Sequence, residues 1–213
     1  LVWWMIQLRI KRIKEKFELR NSIAADLHDE IGSTLTSINI LSNVSQQAME
    51  QQPGQVKVFL EQISSQSKTI QQNMSDIVWS IRPDNEKIEN LLVRIREYAA
   101  QTLEPQNINT IIEADEILVH KILPMQYRKD ILLICKEAVN NIAKHSNANA
   151  ASIIFSCSNK NISVTITDNG KWKGSNSGTG TKTMQERAHA LGAQLSIQAV
   201  ETGTTVLLIF PLP

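Results

Sequence analysis

The hydrophobic period of this chain changes once, and that change splits it into two dissimilar parts. From about Gln7 to Ser80 apolar residues recur at alternating threes and fours, and Gly32 is the only glycine or proline before the Pro53-Gly54 pair. Phe17, Ala24, Leu27, Ile31, Ile38 and Leu41 make the stripe of a first helix, running to about Gln51. Phe59, Ile63, Ile70, Met74, Ile77 and Ile81 make that of a second, beginning at about Gln55. A two-helix hairpin cannot bury stripes this wide alone. Two copies forming a four-helix bundle is the economical solution, so a homodimer through the hairpin is expected. Arg82-Pro83-Asp84-Asn85 ends the second helix, since proline disfavours helical geometry in the residue before it.

Beyond that point helices and strands alternate. Helical spacing covers Glu86 to Leu103 and Gln126 to His145, with a strand from Ile108 to Glu113 between them. Strands at Ala151 to Cys157 and Asn161 to Thr167 are joined as a hairpin by asparagine and lysine. A polar, glycine-rich stretch from Asp168 to Gly180 leads into a helix through Leu191. Strands Gln194 to Ala199 and Thr204 to Phe210 then meet at a turn over Glu201-Thr202-Gly203. The fold class expected is a helical hairpin followed by an α+β domain, its mixed sheet covered on one face by helices. The corresponding domains are 9–82 for the hairpin, 83–90 for a linker and 91–213 for the second domain.

A net charge of +1 argues against nucleic-acid binding over the whole chain, but the charge is unevenly placed. Arg9, Lys11, Arg12, Lys14, Lys16 and Arg20 follow the apolar run Leu1-Val2-Trp3-Trp4-Met5-Ile6. That run is too short for a bilayer, which takes about 20 apolar residues. Tryptophans followed by a basic cluster are what the cytoplasmic end of a membrane helix carries. Residues 1–8 are therefore expected to be the truncated end of a transmembrane helix, which would anchor the chain on the cytoplasmic side of the inner membrane. Cys135 and Cys157 lack partner spacing and read as small buried thiols.

Candidate chemistry lies in both parts. His28, in Asp26-Leu27-His28-Asp29-Glu30, stands beside the apolar stripe of the first helix. Its ring should be held firmly yet face solvent, and a neutral imidazole beside a carboxylate such as Asp29 is a competent nucleophile. Glu137, Asn141, Lys144 and His145 fall on one helical face at steps of four, three and one, a set suited to hydrated Mg²⁺ and anionic phosphates. In Asp168-Asn169-Gly170 a carboxylate ends a strand and can accept a hydrogen bond from an exocyclic amine, while glycine admits a flat ring. Gly174, Gly178 and Gly180 precede a helix whose free N–H groups can face phosphates, though the spacing is not that of a P-loop.

Taken in order, the His28 segment, Glu137 to His145, Asp168-Asn169-Gly170, Gly178-Thr179-Gly180 with Met184-Gln185-Glu186-Arg187-Ala188, and Gly203-Thr204-Thr205-Val206 resemble the boxes of a two-component sensor histidine kinase. Asp26-Leu27-His28-Asp29 resembles more narrowly the subfamily of nitrate sensors and DesK-like kinases. The resemblance implies a Bergerat-fold (GHKL) ATP-binding domain, ATP and Mg²⁺ as cofactors, phosphoryl transfer from ATP to His28, and onward transfer to an aspartate of a response regulator. It assigns His28 as phosphoacceptor with Asp29 as its acid/base neighbour, Asn141 as the Mg²⁺ ligand with Glu137 beside it, and Lys144 and His145 on the phosphate side. It assigns Asp168 to the adenine amine, Gly170 to the adenine pocket, Gly178 and Gly180 to the lid, and Thr204 to the base side. The chain departs from the subfamily at Ser33, where glutamine is common, which implies weak dephosphorylation of the regulator. It departs again at Thr181 and Thr183 in the lid. The rival readings are a non-catalytic dimeric signalling scaffold and a GHKL-type ATPase or serine kinase, neither of which needs His28.

Overall fold

The computed structural model describes residues 3, 6, 7, 9, 31, 32, 34–49, 53–171, 179–200 and 202–212. The chain divides into two compact units, 1–78 and 79–213.

In the first unit residues 34–48 form helix α1, and Pro53–Ile81 forms α2, whose last residues belong to the second unit. Pro53 opens α2 at the position where its missing N–H removes no intrahelical bond. Phe59, Ile63 and Ile70 are half-buried and Ile77 is buried, the stripe expected, whereas Met74 and Ile81 are exposed. Leu35, Ile40 and Val44 on α1 and Val58 and Leu60 on α2 also remain exposed in the single chain. No helix among the described residues is long and apolar enough to cross a membrane.

The second unit is a five-stranded sheet with helices on one face. After a short 3-10 turn at Pro83–Asn85 come α3 (Ile88–Leu103), β1 (Asn109–Ala114), the one-turn α4 (Glu116–Val119) and α5 (Met125–Asn141). A π-type turn at Ile142–Ser146 leads to β2 (Ala150–Ser158) and β3 (Asn161–Asp168), then α6 (Thr179–Ala190), β4 (Gln194–Val200) and β5 (Gly203–Pro211). The strand order is β1-β2-β3-β5-β4, with β1 and β2 parallel and the other pairs antiparallel.

Alternation builds the core. Ile112, Ile153, Ile166, Val206 and Ile197 are successive cross-strand partners, as are Ala114, Phe155, Val164, Leu208 and Leu195, so each strand sends every second side chain to the same face. Ile88, Leu91, Leu92, Ile95, Ala99 and Leu103 of α3, and Ile131, Ile134, Cys135, Ala138 and Val139 of α5, close over them. Asn159 and Lys160 carry the hairpin with φ of 49° and 66°, the left-handed pair that a two-residue turn between twisted strands requires. The opposite face is hydroxyl-rich, with Ser152 and Thr167 hydrogen-bonded at 2.6 Å.

Two local features depart from the sequence reading. Glu116–Val119 is helical but too short to carry a period. The helix expected to reach His145 ends at Asn141, and the π-type turn that follows rotates the next residues. Ser146 sustains that turn by donating its hydroxyl to the Ile142 carbonyl at 2.7 Å, and its own carbonyl accepts the Lys171 N–H at 2.7 Å. Gly170 packs so closely on the Ser146 carbonyl that a Cβ would collide with the backbone of Ser146 and Ala148. Gly170→Ala is therefore expected to destabilise the second unit by about 1–3 kcal/mol, as overpacking does. Chemical denaturation checks it, and an unchanged midpoint would refute the contact.

Candidate functional site

A cleft opens where the ends of α5 and α6 overhang the middle of the sheet. Ala138, Asn141 and Ile142 line one wall with Ser146 of the π-type turn, Thr181 and Met184 of α6 line another, and Ile166, Asp168, Ile197, Thr204 and Val206 form the floor. It holds about 400 Å³ of non-atom space, open solvent included. The floor follows from register. Asp168 and Thr204 are cross-strand partners at the rim, and Ile166, Val206 and Ile197 continue the same inward row one pair deeper. A flat apolar ring thus has an aliphatic bed with two polar groups at one edge.

Asp168 accepts the Gly170 N–H at 2.8 Å through Oδ1. Burial pushes its carboxyl above the ordinary aspartate value, opposed by the Gly170 N–H and by the Thr204 hydroxyl. The Thr204 Oγ1 is buried and has no hydrogen-bond partner of good geometry among the described residues, although it lies near enough to Asp168 to favour the ionised form. Asp168 and Thr204 thus present a carboxylate and a hydroxyl side by side at the rim.

Glu137 is half-buried one turn before Asn141, and its carboxylate rests against Gly180 in the first turn of α6, where a Cβ would overlap it. That turn has no acidic residue of its own, so Glu137 supplies the negative charge its N-terminal dipole favours. Asn140, the neighbour of Asn141, points elsewhere: its Oδ1 accepts the Tyr98 hydroxyl at 2.8 Å, and the Lys136 ammonium sits 4.2 Å from the centre of the same ring. Asn169 is structural too, its Oδ1 accepting the Asn149 and Ala150 N–H groups at 3.1 Å each.

The fold and cleft have counterparts. Residues 20–86, the segment that contains His28, match the histidine kinase family HisKA_3. The chain is a relative of the sensor histidine kinases. It is 30% identical over 146 residues to sensor histidine kinase DesK of Bacillus subtilis, covering 67% of this chain and 37% of that one. It is 32% identical over 150 residues to sensor histidine kinase YvfT of the same organism, covering 68% and 38%. It therefore spans well under half the length of the curated relatives it matches. In fold it resembles the Acinetobacter baumannii histidine kinase AdeS, at 13% identity and a TM-score of 0.59 over 87% of this chain and 98% of that one. A helical region followed by a mixed-sheet domain like histidine kinase ATPase domains is the architecture expected for such a relative.

Of the residues singled out from sequence, Asn141, Asp168 and Thr204 line the cleft together. Glu137 and Gly180 meet just beside it. Gly170 belongs to the same turn as Asp168, but the space its missing side chain leaves is filled by the Ser146 backbone rather than left for a ring. Lys144 and His145 are exposed and are not among the cleft-lining residues, because the π-type turn interrupts the helical face that was to unite them with Asn141. His28, Asp29, Ser33 and Gly178 lie outside the described residues. Thr181, Met184 and Val206, named from sequence only as motif or lid positions, also line the cleft, whereas Ile166 and Ile197 were not named at all; position two residues from Asp168 on the same strand would have marked Ile166.

Proposed function

We propose that this chain is the kinase portion of a sensor histidine kinase: it transfers the γ-phosphoryl group of ATP to His28 and from there to an aspartate of a response regulator. The observation that carries this is the family match across residues 20–86, which embraces His28 and Asp29. The cleft supports the nucleotide half. Adenine lies on Ile166, Val206 and Ile197, its exocyclic amine donates to Asp168, and the Thr204 hydroxyl beside it meets the ring edge directly or through water.

The amide oxygen of Asn141 and the carboxylate of Glu137, one turn apart on α5, are hard oxygen donors of the kind Mg²⁺ takes. Among the described residues no cluster of three or more His, Cys, Asp or Glu is placed to hold a metal. Mg²⁺ commonly takes its remaining ligands from substrate phosphates and waters. The ion would neutralise charge on the transferring group. At His28 an N–P bond forms as the bond from the γ-phosphorus to the bridging oxygen breaks; ADP leaves, and Asp29 takes the ring proton. Positioning and charge neutralisation supply most of the rate.

The hairpin at 9–82 is the dimerisation and phosphotransfer part, 83–90 the linker and 91–213 the ATP-binding part. The exposed Leu35, Ile40, Val44, Val58 and Leu60 are apolar surface for a second copy to cover. The tryptophans and the basic cluster that follows them suit a position at the cytoplasmic face of the inner membrane, and Ser33 limits regulator dephosphorylation. The test is incubation with ATP labelled at the γ position. Protein-bound phosphate that is acid-labile and base-stable is expected, whereas acid-stable phosphate, or none, refutes histidine transfer.

The pH dependence of nucleotide binding checks Asp168. Its folded-state pKa is raised, so the native chain takes up this proton while the unfolded chain is still ionised. The contribution of this group to stability therefore grows as pH falls through the folded value and is complete below the unfolded one. Adenine recognition runs the opposite way, because the protonated carboxyl is the weaker acceptor. ATP affinity is expected to fall on acidification at a pH above that of an ordinary aspartate, and Asp168→Asn to bind about tenfold more weakly with that pH step gone. Calorimetric titration across pH measures both, and a step that persists in the variant assigns it to another group.

A further inference from the structure

The C-terminal half of α6 is fastened to the first turns of α5 by directional polar bonds, while its N-terminal half carries Thr181 and Met184 into the cleft. Asp130 of α5 is 2% exposed. Its Oδ2 accepts from Gln126 Nε2 at 2.6 Å, and its Oδ1 faces Arg187 Nη1 at 3.4 Å and Lys129 Nζ at 3.9 Å. One turn away, the Tyr127 hydroxyl donates to the Leu191 carbonyl at 3.3 Å. The apolar part of the same contact, Met184, Ala188 and Leu191, is buried but non-directional and tolerates sliding. A guanidinium on a buried carboxylate does not. Such a pair returns little net stability after desolvation, and its best-attested use is to fix register.

We infer that Asp130 and Arg187 are positioning residues that set the register of α6 against α5, and so hold Thr181 and Met184 at the distance the nucleotide cleft requires. The part concerning nucleotide rests on the ATP reading above. Arg187 lies about 9 Å along α6 from Thr181 at the helical rise, so a change of register there is delivered to the cleft by a rigid element rather than by contact with ligand. Burial raises the Asp130 carboxyl above its ordinary value, while Lys129 and Arg187, the charged groups facing it from α5 and α6, draw it back down.

The test uses the full chain with Arg187→Gln, Arg187→Lys, Asp130→Asn and the double variant Asp130→Asn/Arg187→Gln. Binding of a non-hydrolysable ATP analogue is measured by calorimetry, and amide exchange is followed through residues 180–190 without nucleotide. Arg187→Gln is expected to weaken the analogue about tenfold and to speed exchange around Thr181 to Met184, with KM for ATP rising and kcat nearly unchanged. Arg187→Lys is expected to regain part of both, and the neutral double variant to lose clearly less than the two single losses combined, since Asp130 and Arg187 are then removed as a pair and only the contact of Lys129 with Asp130 is lost in addition. Unchanged exchange and affinity in Arg187→Gln, or losses that simply add in the double variant, overturn the inference. A wild-type chain that binds no analogue refutes the ATP reading alone, and the exchange pattern still decides whether the pair holds α6.

Discussion

His28→Gln is expected to remove all acid-labile phosphate from the chain while leaving affinity for ATP as in the wild type. Glutamine approximates the length of histidine and keeps a polar end, so the apolar pattern of the segment is unchanged. It offers no ring nitrogen that can carry a phosphoryl group. The cleft proposed for the nucleotide is lined wholly by residues within 79–213, remote in sequence from position 28, which is why binding and labelling should separate. Label retained on the variant would move the acceptor elsewhere, and ATP affinity lost with it would mean that His28 shapes the nucleotide site.

Asn141→Ala is the second large effect. Asn141 lines the cleft, and its amide is the only oxygen-bearing side chain of α5 among the cleft-lining residues, so its loss removes the proposed Mg²⁺ ligand. The rate with Mg²⁺-ATP is expected to fall by roughly 10² or more, the upper end of what even an outer-sphere partner of a bound metal is worth. Asn140→Ala is the control. Its carbonyl oxygen accepts the Tyr98 hydroxyl at 2.8 Å, so truncation strands a half-buried donor and costs about 1 kcal/mol or somewhat more in stability, with little change in rate. Steady-state kinetics and denaturation on both variants separate the two. Equal kinetic losses would mean that the helix face is misassigned.

Much of this architecture is legible because alternation and helical spacing survive in short windows. Ile162, Val164 and Ile166 announce a strand with one buried face, and Asn159-Lys160 announces its turn, because left-handed backbone at both positions suits few residue pairs. The end of α5 is illegible for the converse reason. Ile142, Ala143, Lys144 and His145 continue a helical pattern, and what diverts them is partly remote: the Ser146 carbonyl is engaged by the Lys171 N–H and packed by Gly170, more than twenty residues on. Lys144 and His145 are absent from the cleft lining for that reason.

The two-part organisation, the strand faces, the order of the polar motifs and, through that order, the similarity to sensor histidine kinases are all written along the chain. These depend on local periodicity and on motif succession. Only the tertiary structure decided which ordinary core residues become a ligand bed, because Ile166, Val206 and Ile197 acquire that role from strand register. It alone decided that Asp130 meets Arg187, since a pairing 57 residues apart depends on how two helices pack and leaves no periodic trace. A side chain's chemistry is local; its partner is set by the fold.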